Sequence, residues 1–273
     1  MQKKFQNFEN CTTETRLQIE NIADGVSQLL EKNLVGLYIH GSIVLDSFDE
    51  NGSDLDIVVV INDELSLTDK FKLGSFLFSL NKKPCPLDVL FFIKGEIVPL
   101  KHQIKEHFYF SDYWSIQYEK ISLGAENAEE ILASVFSDGQ PVSDFMVIKQ
   151  KGICLLGEPI NDIFPDIPNK LFLDVVSSRI DSFYVESEND SQSSFLVLQL
   201  CRMLSFKETG NILSKHKAAE WAFENIPSQH HPIIKTALYN KFGLGSKVMY
   251  TKEDAISFKT YMSQEIRQGK IND

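Results

Sequence analysis

Residues 37–60 read LYIHGSIVLDSFDENGSDLDIVVV, two apolar runs separated by a polar segment. The first run ends at His40-Gly41-Ser42, and the second begins at Leu55. Asp54 and Asp56 stand at the start of the second run, and residues two apart on a strand point to the same face. Two carboxylates side by side repel one another unless a cation lies between them. The pattern therefore predicts a cation site at a strand end.

The turn at Gly41-Ser42 precedes an amphipathic segment, Ile43–Phe48, which we interpret as a short helix. Backbone N–H groups at such a turn bind phosphate. A phosphate-binding turn beside paired aspartates is the outline of a metal-dependent nucleotidyl-transfer site. The alternative is that the aspartates only cap a strand at the protein surface.

Length and composition are those of a globular protein that contains two domains or one large domain. The chain has 273 residues, of which 43% are hydrophobic and 24% charged. The N-terminus carries no apolar segment typical of a signal peptide, and no apolar run approaches the roughly 20 residues that span a bilayer. The cysteines are scattered without metal-binding spacing, which predicts free thiols in the cytoplasm: Cys11, Cys85, Cys154 and Cys201.

The formal net charge of −11 bears on possible partners. Binding to nucleic acid depends on Lys and Arg that neutralise phosphates, so an acidic chain is a poor candidate for it. A small cationic substrate suits this charge better. Solubility alone explains the acidity equally well.

Hydrophobic periodicity in the first half alternates between helix and strand. It predicts an α/β (α+β) domain with a small mixed sheet. The predicted elements are a helix over Glu14–Asn33, a strand over Val35–Ile39, a strand over Leu55–Ile61, a helix over Thr68–Leu80 capped by Thr68, and a strand over Pro86–Ile93.

The third predicted strand opens with a further aspartate, Asp88. If the second and third strands are neighbours, Asp88 approaches Asp54 and Asp56, and three acidic side chains at one edge of a sheet are typical of a two-metal site. Further along, residues 101–117 are rich in histidine and aromatic residues. Tyr109, Tyr113 and Trp114 within them either line a substrate cleft or fill a core.

The second half is predicted to be all-α. Two helices, Glu126–Phe136 and Asp144–Leu156, precede a turn-rich segment, so we place a domain boundary at 157, between domains 1–157 and 158–273. Helical periodicity then returns in five segments, which predicts a helical bundle. These are Asn169–Ser187, Ser194–Thr209, His216–Asn225, Pro232–Phe242 and Lys252–Gln268.

Motifs in both halves resemble one family. His40-Gly41-Ser42 followed by Ser53-Asp54-Leu55-Asp56 resembles the signature of the nucleotidyltransferase superfamily. In the second half, LQLCRM from Leu198, TGNI from Thr209 and SKHKAAEWA from Ser214 resemble the bacterial aminoglycoside O-adenylyltransferases that modify streptomycin and spectinomycin. The resemblance covers roughly residues 35–240 and joins two separate regions.

The resemblance implies a nucleotidyltransferase domain followed by a helical domain that closes over ATP and Mg²⁺, with the antibiotic bound between the two. It implies metal binding by Asp54 and Asp56, and a catalytic base or metal ligand at Asp88. Gly41, Ser42, Ser53 and Lys215 match positions that bind ATP, and Trp114 lies near a tryptophan that stacks on the substrate.

The acceptor side departs from the family. An aspartate that binds streptomycin aligns with Gln192, unless Glu188 or Asp190 takes its place, and Asp88 stands where better-known members have glutamate. The expectation is a cytoplasmic, monomeric enzyme that transfers AMP to an aminoglycoside or aminocyclitol and confers resistance, without nucleic-acid or membrane partners. The alternatives are another small-molecule or protein acceptor, or a catalytically silent binding module of the same fold.

Overall fold

A computed structural model describes residues 11–50, 52–100, 104–137, 141–180, 191–244, 248 and 250–268. The chain divides into two compact units, Met1–Asp166 and Ile167–Asp273. The division falls beyond the expected boundary at 157. The segment that follows Gly157 belongs to the first unit because Phe164 is buried there against Tyr38 and Phe145.

The first unit is built on a five-stranded mixed sheet of order β4-β3-β2-β1-β5. Only β2 and β3 run parallel, and the other neighbouring pairs are antiparallel. The strands are β1 Leu34–Ile39, β2 Leu55–Ile61, β3 Leu87–Ile93, β4 Phe108–Ser111 and β5 Ile153–Gly157. The three predicted strands are confirmed. The predicted helix over Asp144–Leu156 is wrong in its second part, because the helix ends at Lys151 and residues 153–157 form β5.

Seven α-helices of the described residues surround this sheet: α1 Thr13–Leu30, α2 Leu67–Leu80, α3 Lys94–Ile97, α4 Ser115–Ser122, α5 Ala128–Ala133, α6 Pro141–Lys151 and α7 Ile160–Ile163. Ser66 caps α2, rather than the expected Thr68, by accepting a hydrogen bond from the Asp69 N–H at 3.1 Å. The segment after Gly41 is a 3₁₀ turn, Gly41–Leu45, rather than a longer helix.

The side chains of each strand point alternately to the two faces of the sheet, and each face packs against its own core. On one face Ile57 and Val59 of β2 pack with Ile19 of α1 and Leu73 of α2. On the other face Phe92 of β3 packs edge-on against the α6 residue Phe145, with ring centroids 5.0 Å apart. The side chains of Asp56 and Asp88 lie on the second face of the sheet. Each aspartate directly precedes an apolar residue of the first core, and successive residues of a strand point to opposite faces.

The described residues of the second unit form helices and no strands, as predicted. Its helices are α8 Asn169–Ile180, α9 Ser191–Thr209, α10 Lys215–Asn225, α11 His231–Phe242 and α12 Lys252–Arg267. The other four helices pack on α9, in which Leu198, Leu200 and Cys201 are fully buried. Within the described parts of both units, no helix is long and apolar enough to cross a membrane.

Candidate active site

Asp56 and Asp88 are neighbours in the sheet. They occupy paired positions of the parallel strands β2 and β3, a register that continues to Ile61 and Ile93. Adjacent strands lie about 4.8 Å apart, so the two side chains leave the same face side by side. Both aspartates are half-buried, whereas Asp54, immediately before β2, is exposed. The second and third strands are thus neighbours, which is the condition for Asp88 to approach Asp56.

Gly41 fits closely against one of these carboxylates. Its φ is +70°, and a Cβ atom at this position would lie 1.7 Å from Asp56 Oδ2. The preceding residue, His40, donates its backbone N–H to the Asp56 carbonyl at 3.0 Å. Glycine is therefore required twice over, by the left-handed backbone and by the approach of the carboxylate.

Polar groups on either side of Gly41 are unusually enclosed. The hydroxyl oxygen of Ser42 is buried and has no hydrogen-bond partner among the described residues. A buried hydroxyl without a partner is costly, which makes Ser42 a candidate for contact with a ligand oxygen. Burial lowers the pKa of His40 to about 4, so its ring is neutral at pH 7.

Ser53 closes the turn before β2. Its hydroxyl accepts the Asp49 N–H at 3.1 Å, and its own N–H donates to the Asp49 carbonyl at 2.7 Å. The side chain therefore shapes the loop that leads to Asp54. A contact between Ser53 and phosphate stays a prediction.

Tyr109, considered from the sequence only as a cleft or core residue, contacts one of the two paired aspartates. Its hydroxyl donates to Asp88 Oδ2 at 2.9 Å from the neighbouring strand β4. The alternation of Phe108, Tyr109 and Phe110 was the available signal, since it predicts a strand with tyrosine on the face opposite the phenylalanines. Both phenylalanines are buried in the first core, and Tyr109 lies on the face of Asp88.

The oxygen donors at this edge fit Mg²⁺ in the way that nucleotide sites bind it. No group of three or more His, Cys, Asp or Glu side chains among the described residues is arranged to hold a metal ion. Mg²⁺, however, usually binds through one or two carboxylates together with substrate phosphates and water. Asp56 and the preceding Asp54, with the Ser42 hydroxyl, are oxygen donors of the kind that such shared coordination uses.

Trp114 lies at the end of a 3₁₀ turn that follows β4. Its indole Nε1–H donates to the Phe136 carbonyl at 3.1 Å. The ring is half-buried and contacts Tyr113 and Phe136, at centroid distances of 5.1 and 5.5 Å. Trp114 is thus held in place while Tyr113 is 82% exposed, an arrangement open to a planar ligand.

Lys215 is the first residue of α10, after the N-cap Ser214. Its ammonium group lies 4.3 Å from the centroid of the Phe195 ring. Of the expected acceptor residues, Glu188 and Asp190 lie outside the described residues. Gln192 lies in α9, and its side chain is likewise outside the described part of the chain.

Two family models match the chain, one in each half of its length. Residues 19–111 match "Nucleotidyltransferase domain", and residues 162–265 match "Aminoglycoside adenylyltransferase, C-terminal domain". The two matches together identify the chain as similar to the aminoglycoside adenylyltransferases. It is thus related to nucleotidyltransferase enzymes in both parts of its length.

Individual members of the aminoglycoside adenylyltransferase family are distant but match over most of their length. The aminoglycoside (3'')(9) adenylyltransferase of Shigella flexneri is 21% identical, over 94% of this chain and 97% of its own. The spectinomycin 9-adenylyltransferase of Staphylococcus aureus is 26% identical, over 78% and 79%.

One solved member of the family shares the fold. It is the spectinomycin adenyltransferase of Enterococcus faecalis, crystallised with ATP and spectinomycin. The TM-score is 0.71 at 22% sequence identity, over 92% of this chain and 99% of that one. The likeness confirms a nucleotidyltransferase domain followed by a helix-rich region.

The candidate residues divide between the two family matches. Gly41, Ser42, Ser53 and the three aspartates fall within the nucleotidyltransferase match, and Lys215 falls within the C-terminal match. Trp114 lies just beyond the first match, at residue 114 against its end at 111. The predicted metal-binding residues thus belong to the first unit, whereas the predicted nucleotide-binding residues come from both units.

Proposed function

We propose that the protein transfers AMP from ATP to a hydroxyl group of a cationic aminoglycoside or aminocyclitol of the streptomycin or spectinomycin type, and so confers resistance. The observation that carries this proposal is the paired register of Asp56 and Asp88 beside Gly41 and the enclosed Ser42 hydroxyl. The names of the related enzymes support the same reaction.

ATP binds in this proposal against the turn at Gly41. Backbone N–H groups and the Ser42 hydroxyl contact the phosphates, which gives that buried hydroxyl the partner that it lacks among the described residues. Asp54 and Asp56 hold Mg²⁺ together with the triphosphate. When bound there, Mg²⁺ neutralises the negative charge of the phosphates and of the departing pyrophosphate.

Asp88 acts as the general base. The oxygen of the acceptor hydroxyl forms a bond to the α-phosphorus of ATP, the bond from that phosphorus to pyrophosphate breaks, and the hydroxyl proton passes to Asp88. The alternative role as a further metal ligand is less favoured, because Tyr109 already donates to one of the Asp88 oxygens.

Residues of the second unit, together with Trp114, complete the proposal. Lys215 contacts phosphate, Trp114 stacks on the acceptor, and Glu188, Asp190 and Gln192 pair with its ammonium or guanidinium groups. Replacing Lys215 by Met should raise the KM for ATP. Lys217→Met is the matched control, two residues further along the same helix and exposed.

The direct test is incubation of the purified protein with ATP–Mg²⁺ and a panel of aminoglycosides, with release of pyrophosphate and the mass of the acceptor as readouts. Streptomycin or spectinomycin should gain the mass of AMP. Asp54→Asn and Asp56→Asn should abolish transfer, while Asp63→Asn, an exposed residue beyond the far end of β2, should not.

No release of pyrophosphate with any of the drugs would contradict the resistance function. Calorimetry with ATP–Mg²⁺ then separates the alternatives. Binding of ATP without transfer to the panel indicates a different small-molecule or protein acceptor. Absence of binding indicates a silent module of this fold.

A further inference from the structure

Tyr109 forms a direct contact between the edge strand and the proposed base. Its hydroxyl donates to Asp88 Oδ2 at 2.9 Å. The contact is diagonal in the sheet, since Tyr109 is paired with Leu90 and Asp88 with Ser111. Such diagonal neighbours are within reach only of long side chains. Tyrosine therefore reaches a carboxylate that shorter residues at 109 would not.

The strand that carries Tyr109 is held firmly on its other face. Phe108 and Phe110 both contact the ring of Tyr118, at centroid distances of 6.3 and 4.6 Å. The Tyr118 hydroxyl donates to the Tyr109 carbonyl. Gly74 of α2 admits this ring, because a Cβ there would lie 2.6 Å from Tyr118 Cε1. The backbone of Tyr109 is thus anchored to the core by three aromatic residues.

The Asp88 carboxylate needs a hydrogen bond to fix its orientation, because a second carboxylate lies beside it. Asp56 lies in paired register with it on the same face, and two carboxylates in this position repel one another. Repulsion alone would let the Asp88 side chain rotate away from Asp56. A hydrogen bond from a neutral hydroxyl to a carboxylate opposes that rotation.

We propose that Tyr109 is a positioning residue that fixes the orientation of the Asp88 carboxylate for transfer of AMP. The inference rests on the proposed function and goes beyond it, since it concerns the residue that holds the base. Tyr109 acts through Asp88 rather than on ATP. Loss of its hydroxyl is therefore expected to lower kcat and to leave the KM for ATP unchanged.

The first test compares two hydroxyl deletions in the same sheet. Tyr109→Phe should lower kcat about 10- to 100-fold and leave the KM for ATP within about twofold. Tyr38→Phe is the matched control, because the buried Tyr38 hydroxyl of β1 donates to the Glu158 carbonyl at 2.8 Å. The control should retain wild-type kcat. Equal kcat values for the two variants would overturn the inference.

A double-mutant cycle separates positioning from a general structural effect. In an Asp88→Asn background the further change Tyr109→Phe should alter the residual rate by less than about twofold, because the two residues act as one unit. An equal loss in both backgrounds would overturn the inference. Tyr109→4-aminophenylalanine restores a donor at the same place and should recover most of kcat; failure to recover it counts against the inference.

Two readouts keep the outcomes distinct. Thermal unfolding of each variant shows whether a lower rate reflects loss of fold, and the 4-aminophenylalanine variant decides the matter if Tyr109→Phe unfolds. A wild-type protein that transfers no AMP to any acceptor overturns the proposed function and this inference together. An active wild type with an unaffected Tyr109→Phe variant overturns the inference alone.

Discussion

At the residue scale, Gly41 determines where the Asp56 carboxylate lies. The backbone of Gly41 is left-handed, and the carboxylate occupies the space in which a side chain would stand. Gly124 has a similar φ of +76°, but a Cβ atom there would meet nothing within 4 Å. Both glycines have a left-handed backbone, but only at Gly41 does a neighbouring side chain occupy the position of a Cβ atom. Comparing the two positions therefore separates the cost of the backbone conformation from the displacement of Asp56.

Gly41→Ala should reduce transfer of AMP by at least about 100-fold, because the new methyl group displaces Asp56. Gly124→Ala should leave transfer unchanged. Each left-handed alanine costs about 1–2 kcal/mol of stability. Steady-state rates and urea unfolding of both variants check this, and a Gly41→Ala enzyme with near-normal turnover would show that Asp56 is misassigned.

His40 makes stability depend on pH. Burial lowers the pKa of its folded state to about 4, whereas an unfolded histidine titrates near its ordinary value of about 6.5. Between these values the unfolded chain binds a proton that the folded chain does not. The stability from neutral His40 is therefore complete above about pH 6.5 and falls by up to roughly 3 kcal/mol as the pH approaches 4.

His40→Gln should flatten this dependence. Urea unfolding of the wild type and the variant, measured from pH 4.5 to pH 7.5, gives the difference between them. Burial also lowers the pKa of His107 and of His230, but both proteins retain these residues, so the difference isolates His40. Parallel curves for the two proteins would contradict the assignment.

At the scale of elements, α1 holds the turn that leads into β3. The side chain of Gln18, 1% exposed, donates to the carbonyls of Leu80 and Cys85 at 2.9 and 2.8 Å and accepts the Cys85 N–H at 3.0 Å. Asn81 then accepts the Leu87 N–H at 3.0 Å, immediately before Asp88. The position of the proposed base thus depends on a helix distant in sequence.

Gln18→Met keeps the shape of the side chain but removes three hydrogen bonds. It should lower the free energy of unfolding by about 2–4 kcal/mol, because buried backbone groups lose their partners. Gln28→Met, at an exposed position of the same helix, should change stability by less than about 0.5 kcal/mol. Urea denaturation measures both, and similar stabilities would show that Gln18 does not hold the turn.

The sequence predicted those elements whose pattern is long and apolar. β2 begins and ends as expected, since every residue of Leu55–Ile61 except Asp56 is apolar. β4 has only four residues, so its alternation of Phe and Tyr is a short signal within an aromatic-rich region. β5 follows α6 after a single glycine, so its pattern does not stand out from the end of that helix. Gly74 is unusual inside a helix such as α2, and the Tyr118 ring that packs on it explains its presence.

The candidate site was predictable where its residues are close in sequence or stand at strand starts. Gly41, Asp56 and Asp88 are of this kind, and the register of β2 and β3 confirms that the two aspartates are adjacent. The contact from Tyr109 to Asp88 depends on the pairing of β4 with β3, which no local pattern reveals. The hydroxyl of Ser53 accepts a backbone N–H of its own turn, and its expected contact with phosphate stays a prediction.

At the scale of the whole molecule, the charge of the chain opposes one substrate and favours the other. Acidic residues number 38 against 27 basic residues, which gives the net charge of −11. A negative field attracts a cationic aminocyclitol and repels ATP. ATP must therefore be bound by local groups, namely the N–H groups at Gly41, the Ser42 hydroxyl, Lys215 and Mg²⁺ in the proposed function.

Ionic strength should consequently affect the two substrates in opposite directions. Raising it from about 0.01 M to about 1 M shortens the Debye length from about 30 Å to about 3 Å and screens the field of the protein. The KM for a cationic acceptor should rise severalfold, and the KM for ATP–Mg²⁺ should stay constant or fall. Initial rates with each substrate varied in turn measure both constants. A KM for the acceptor that is independent of salt would show that its ammonium groups do not respond to the acidic field, and would favour an uncharged acceptor.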